Sequence, residues 1–510
     1  MNSILKVIFR SVYFIAAIGM TGCNKLKELP ESVITEDQYY KTATDAVSAV
    51  NAAYGSLNGD PAGDFPIYGR NLNILISNGS DEQIFSPSNT NPDVRAIGTI
   101  TYVAENDRVR KIWQQHYYGI NRANVAVDKI PGIEMDETTR SRLINEARFI
   151  RGLLYFNLVR LFGGVPLVLH NPSSTDIEDV MVKRATPEEV YAQVIADFTA
   201  ATALPASYSG ADKGRATSGA AWGLLAKVYV TKKNWELART TLEKVLTAGT
   251  FTAARGTYGY DLFPVFKDAF QKPTKNGKEH LFSVQYESNL GARNVQNFLS
   301  GSNFNSFNPK SFPGDVPDEN LPKIFDDADT RKAASFFTKM LNPVTGQEVD
   351  FSPVTRYAKF IDFSLNPITN QAQSGINYPV LRYADVLLLY AEVLNELQGP
   401  VAEAYKALNI VRARAYGFYT GNGSYTDHSR DLSELDQAGF REAVFLERRK
   451  ELVQEGNRWF DLVRKGSLVE ELKKIPAKAN NVSEKHYLFP IPQVEIDLNN
   501  LLIQNPGWSR

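Results

Sequence analysis

At 510 residues the chain exceeds what one compact core usually serves, so two domains or a repeat scaffold with insertions is expected. Hydrophobic residues make up 43% and charged residues 22%, and 56 Lys plus Arg against 57 Asp plus Glu leave a formal net charge of −1. This composition excludes an intrinsically disordered chain. It also argues against nucleic acid as a partner, because a phosphate-binding surface needs a basic excess.

The amino terminus reads as an export signal. Lys6 and Arg10 supply a positive flank, and the apolar run Ser11 to Met20 is about ten residues long, half of what a bilayer span requires. The run closes on Met20-Thr21-Gly22-Cys23, which resembles the bacterial lipobox. Residues 1–22 are therefore expected to be cleaved, with Cys23 acylated as the first residue of the mature chain, 23–510. Cys23 is the one cysteine of the chain, which excludes an internal disulfide framework and leaves lipid attachment as the role of the thiol. Acyl chains contribute about 0.8 kcal/mol per buried CH2, so several of them anchor stably.

Past the anchor, Thr35 and Thr44 sit where N-caps would precede helices over Glu36 to Lys41 and Asp45 to Leu57. From 60 to 105 Gly, Pro, Asn, Asp and Ser are frequent and no periodicity persists, which predicts irregular binding loops with brief elements. Helical grammar then takes over. Arg108 to Ile130 is amphipathic, and Asp136 to Phe162 places Leu143, Ala147, Ile150, Leu154, Leu158 and Leu161 on one face before stopping at Gly163-Gly164. The two read as a helical hairpin. Further helices are expected over Pro187 to Leu204, Ser218 to Val230, Trp235 to Leu246, Arg382 to Leu397 and Glu403 to Tyr416. Ala226, Ala238, Ala391 and Ala407, with Trp222, Tyr229, Tyr390 and Tyr405 near them, fit the small-and-aromatic interlock of a tetratricopeptide (TPR) repeat at irregular spacing. The expected fold is mainly α, a TPR-like helical repeat scaffold of about four divergent helix pairs over 106–247 and 381–466. An irregular insertion over 250–380 interrupts it, with a strand at His280 to Tyr286 and an Asn- and Phe-rich run from Asn289 to Pro313.

Catalytic chemistry finds little purchase. The five histidines are scattered, and there is no HExxH, GxSxG elbow, Walker loop or EF-hand spacing, so no enzyme activity, metal or cofactor is expected. Glu447 and Glu451 are four apart on one helical segment, but Arg448, Arg449, Lys450 and Arg458 surround them. That pattern predicts a salt-bridge network joining two helices, with Asp461 and Arg464 adding an i,i+3 pair. Binding is more legible. A sugar pocket takes flat aromatic platforms and planar amide, carboxylate or guanidinium partners, and two stretches hold both. The first offers Arg70, Asn73, Asp81, Glu82 and Phe85, with Tyr102 further on; the second offers Tyr286, Asn289, Arg293, Phe304 and Phe307.

The most specific signals lie in the carboxy-terminal third. RYADVLLLYAEVLNE from Arg382, LNIVRARA from Leu408, ERRKELVQEGNRWFDLVRKG from Glu447 and LFPIPQVEIDLNNLLIQNPGW from Leu488 occur in succession. Together with YFNLVRLFGGVPLV from Tyr155 and the opening Ser32 to Leu57, they resemble the SusD/RagB-like family in order along nearly the whole mature chain. The resemblance implies a TPR-like half supporting an irregular half, tethered by lipid to the outer membrane and facing the cell exterior. Such proteins sit as a lid over a SusC-like TonB-dependent transporter and hand over nutrients. Ser80-Asp81-Glu82 is similar to the family's Asp-containing stretch, and Tyr102 falls where glycan-binding relatives place a stacking aromatic, although no Trp stands there. The expected ligand is an oligosaccharide; capture of peptides, as in RagB-like members, and a TPR-type adaptor that docks protein are the alternatives.

Overall fold

The computed structural model describes residues 39–85, 89–172, 180–288, 315–341, 345–365 and 374–509. The signal segment, Cys23 and the first half of the helix expected over Glu36 to Lys41 lie outside the described residues. Helix α1 spans Ala43–Asn58 and is capped by Thr42, not by Thr44. The reason is local: the Asp45 carboxylate accepts from the Thr42 backbone N–H at 2.8 Å while the Thr42 hydroxyl accepts from Asp45, a reciprocal pairing that Thr44 has no partner to make.

The region 60–105 consists of brief elements: a π-helical turn Ile67–Asn71 running into a short helix Leu72–Ile76, strand β1 at Gln83–Phe85, and helix α2 at Pro92–Thr99. Its middle, residues 71–83, is buried without interruption. A loop so rich in polar groups can be buried only if its backbone finds partners. Lys478 supplies several, donating to the carbonyls of Asn78 at 2.6 Å and Gln83 at 2.9 Å and to that of Ser80.

The expected hairpin is present as α3, Asp107–Lys129, and α4, Glu137–Phe162, capped by the side chains of Asn106 and Asp136. There follow α5, Pro187–Ala201; α6, Ser218–Thr231; and α7, Trp235–Leu242. The scaffold resumes with α8, Tyr383–Gln398; α9, Ala402–Ala415; α10, Gln437–Glu451; and α11, Arg458–Lys465. Helix α7 ends four residues before the expected Leu246, because the chain tightens into turns there, although Val245 and Leu246 stay fully buried. Each helix packs on its neighbour in sequence from α3 to α7, and α7 then packs on α8 across the insertion. The architecture is thus mainly α and TPR-like, and the insertion leaves the stack unbroken.

The insertion is clamped to the scaffold by strands. β2, His280–Val284, pairs antiparallel with β4, Tyr378–Arg382, which runs directly into α8; β1 pairs with β3, Asp315–Pro317. One apolar cluster extends from Ala53 through both halves to Trp508. Beside it lies a buried lattice of charge. Glu451 accepts from Arg331 and Arg382 at 3.1 Å each and from Arg414, and Arg382 also holds Glu455 at 2.7 and 2.6 Å and Glu279. Asp461 pairs with Arg448 and with Arg464, both at 2.9 Å, the latter being the i,i+3 pair read from sequence. Among the described residues no helix is long and apolar enough to cross a membrane.

Candidate functional site

A groove of three adjoining cavities, of about 350, 300 and 610 Å³, runs between the end of α1, the 206–217 connection before α6, and strand β2. Its wall carries tyrosines. Tyr258 and Tyr260 sit with ring centroids 5.4 Å apart, half-buried, with the Tyr258 hydroxyl donating to Ser218 Oγ at 3.0 Å at the start of α6. Gly219 lets Tyr260 lie this close, since a Cβ there would stand 2.4 Å from its hydroxyl. Tyr54 of α1 completes the wall, and its hydroxyl accepts from the Ala216 N–H at 2.9 Å.

The floor is a cluster of planar amides. Asn276 and Gln285 exchange two hydrogen bonds, 2.6 and 3.0 Å, and Asn377 donates to Gln285 Oε1 at 2.8 Å. Asn58 donates to the Gln285 carbonyl at 2.8 Å and ties this floor to α1. Gly214 crosses above it at φ +104, where a Cβ would stand 2.6 Å from Gln285 Cδ. A glycine meets both demands, the left-handed backbone and the close approach. Gln285 spends both donors and both acceptors of its amide inside this cluster, so the floor is a fixed polar surface, beside rings that can cover apolar C–H faces.

Charged groups rim the groove. Arg215 is held by Glu146 at 2.8 Å, Asp212 at 2.6 Å and Asn51 at 2.8 Å, and Lys278 by Asp261 at 2.7 Å. Lys272 and Lys275 share the Glu287 carboxylate at 2.8 and 2.7 Å. Among the described residues no group of three or more His, Cys, Asp and Glu side chains is arranged to hold a metal ion.

The residues read from sequence are dispersed. Tyr286 lines the largest of these three cavities; it is buried, its N–H donates to Asn377 Oδ1 at 2.9 Å, and its hydroxyl has no hydrogen-bond partner among the described residues. Arg70 is half-buried with its guanidinium 4.9 Å from the Phe65 ring centroid, and its neighbour Gly69 abuts Tyr286. Asn73 lies inside, accepting from the Tyr378 hydroxyl at 3.0 Å. Asp81 is buried and gripped by Arg458 at 2.9 and 2.8 Å and by Arg449 at 2.9 Å. Burial alone would push its carboxyl up, but Arg458, Arg449 and Lys478 outweigh it and hold the group at about 2. Glu82 shows the reverse: burial, with the Asp81 charge beside it, pushes its carboxyl up to about 7. Tyr102 is 2% exposed and stacks on Phe489 and Trp508, centroids 5.0 and 5.3 Å away, so its ring belongs to the core beneath the carboxy terminus. Phe85 ends β1, with its side chain outside what is described, and Asn289, Arg293, Phe304 and Phe307 lie outside the described residues.

Tyr258, Asn276, Gln285 and Lys213 carry the groove and were not singled out by sequence reasoning. Two short signals mark Tyr258 and Asn276, Thr257-Tyr258-Gly259-Tyr260 and the lysine-rich run Lys272 to Lys278, each too short to stand out without knowing that the two meet; Lys213 and Gln285 lie in neither.

Comparison with known proteins adds a second line of observation. A sequence model of the SusD family matches residues 271–508, and a model described as starch-binding associating with outer membrane matches residues 69–230. SusD-like protein P2 of Formosa agariphila is 28% identical, over 98% of this chain and 99% of its own. The crystal structure of a SusD homolog from Bacteroides thetaiotaomicron superposes with a TM-score of 0.78 at 28% identity, covering 93% of this chain and 99% of that one. A laminarin-binding SusD-like protein superposes with a TM-score of 0.72 at 25% identity, covering 92% and 100%.

Proposed function

The chain belongs to the SusD/RagB-like family, and from that premise we propose that it captures an oligosaccharide in the groove between α1 and β2. As a surface lipoprotein anchored through Cys23, it then delivers the sugar to a SusC-like TonB-dependent transporter of the outer membrane. The observation that carries this reading is that the Tyr258–Tyr260 pair shares one cavity with Asn276, which also lines the adjoining cavity together with Asn58 and Gln285. Rings that cover apolar sugar faces and amides that pair with hydroxyls are the two halves of carbohydrate recognition. Laminarin binding by a relative of the same fold supports the choice of glycan over peptide. No bond is made or broken in this reading: the ligand is held and released. Tyr286, at the end of the groove, is the sequence-read candidate that shares it, with Arg70 on the adjoining turn.

Calorimetry of the mature protein against a panel of neutral and acidic polysaccharides and a panel of peptides tests the proposal. Binding to at least one glycan is expected, weakened about tenfold by Tyr258→Ala, since a ring contact is worth on the order of 1 kcal/mol beyond its area. Binding to peptides alone would redirect the function to peptide capture.

A further inference from the structure

The groove carries a charge that the molecule as a whole does not. Lysines and arginines are balanced by carboxylates across the chain, 56 to 57. The groove is instead lined by five cations, Lys213, Arg215, Lys272, Lys275 and Lys278, against one carboxylate, Glu287. Two of these cations are neutralised from outside the lining, Arg215 by Glu146 and Asp212 and Lys278 by Asp261. The other three are not. Lys272 and Lys275 share Glu287, and Lys213, which borders all three cavities, is exposed and makes no ion pair among the described residues. The 610 Å³ cavity therefore holds three ammonium groups against one carboxylate, an excess of two positive charges over an amide floor formed by Asn58, Asn276 and Gln285. Glu287 registers that field: although exposed, its carboxyl is drawn down to about 2 by hydrogen bonds from Lys272 and Lys275.

Like charges held in one concavity repel, and the low-dielectric walls concentrate their potential. A neutral sugar leaves that repulsion in place; an anionic one relieves it. We infer that the groove takes an acidic oligosaccharide, whose carboxylate or sulfate groups seat among Lys213, Lys272 and Lys275 while its hydroxyls meet the amide floor. The inference rests on the proposed glycan-capture function and names its substrate class.

Affinity electrophoresis of the mature protein through gels containing polygalacturonate, a sulfated galactan or laminarin tests it. Retention by an acidic polymer is expected, and which one is retarded tells carboxylate from sulfate recognition. The Lys213→Ala/Lys275→Ala pair should weaken that retention about tenfold, as should raising the salt to a level where the Debye length is about 3 Å. Lys233→Ala, one length of α6 or about 20 Å from the groove, should change nothing. Removal of the charge from the polymer, by carboxyl reduction or desulfation, should abolish binding. Retention by laminarin with neither acidic polymer, or acidic retention indifferent to the lysine pair, overturns the inference and leaves glycan capture standing. Failure to bind any glycan of the wider panel overturns both.

Discussion

Asp81 and Glu82 are adjacent carboxylates that their surroundings drive in opposite directions, and the cause is which one the arginines reach. Arg458 forks both oxygens of Asp81, whereas among the described residues Glu82 accepts only a long 3.4 Å bond from the Gln454 N–H. A buried carboxyl raised from its ordinary 4.5 to about 7 binds more protons in the folded state than in the unfolded one between those values. Its ionisation therefore subtracts stability as the pH rises from about 4.5 to about 7. Glu82→Gln removes that penalty, so its effect on the free energy of unfolding should be more favourable at pH 8 than at pH 5, by on the order of 2 kcal/mol. Equal effects at the two pH values would show that Glu82 is not the titrating group. Lys478 acts on the same turn from the other side, its ammonium occupying carbonyls that would otherwise face one another unpaired.

Among the elements, the helix that bears Glu447 and Glu451 decides how the insertion meets the scaffold. Glu451 of α10 receives Arg414 of α9, Arg382 at the head of α8 and Arg331 of the insertion, so one carboxylate ties three segments. Burial opposes its ionisation, but the three guanidinium groups prevail and hold it at about 2. Here the sign is opposite to that of Glu82: the stabilisation is complete above about 4.5 and is lost as the pH falls toward 2. Glu451→Gln should cost about 3–5 kcal/mol at pH 7 by leaving buried cations uncompensated. The deficit should shrink in denaturant titrations followed by circular dichroism at pH 3.5, and a pH-independent deficit would mean that packing, not charge, is lost. The acid–base reading of this carboxylate pair has no support in the geometry, since both partners are consumed by arginines.

For the whole molecule, the proposed function depends on holding the groove at a membrane surface. Cys23→Ser should abolish incorporation of labelled palmitate in cells, and label persisting on the variant would remove the anchor on which delivery rests. In the proposed function the transporter partner and the outward orientation rest on that anchor and on the family likeness, and both fall with it.

The helices were legible in the residues because periodicity, caps and glycine stops are local: α3, α4, α6 and α8 lie within one residue of their expected bounds. Of the charge network, the Asp461–Arg464 pair on α11 was legible for the same reason, since i,i+3 neighbours are fixed by the helix itself, whereas Glu447 and Glu451 take their arginines from distant segments, Arg331, Arg382, Arg412 and Arg414. Burial of a polar loop was not, because whether Asn73, Asp81 and Glu82 face solvent or core depends on Arg458 and Lys478, nearly 400 positions away. Tyr102 shows the same limit: an aromatic in a polar stretch reads as a platform until Phe489 and Trp508 are found stacked on it. What the amino-acid order alone determined was the helical scaffold, the export and lipid signal as an expectation, and the family likeness, all properties of neighbouring residues. Only the tertiary structure decided which residues form the candidate groove. Tyr54, Lys213, Tyr258, Asn276 and Gln285 come from segments that share no periodicity, and a binding surface is a juxtaposition in space that chain order does not record.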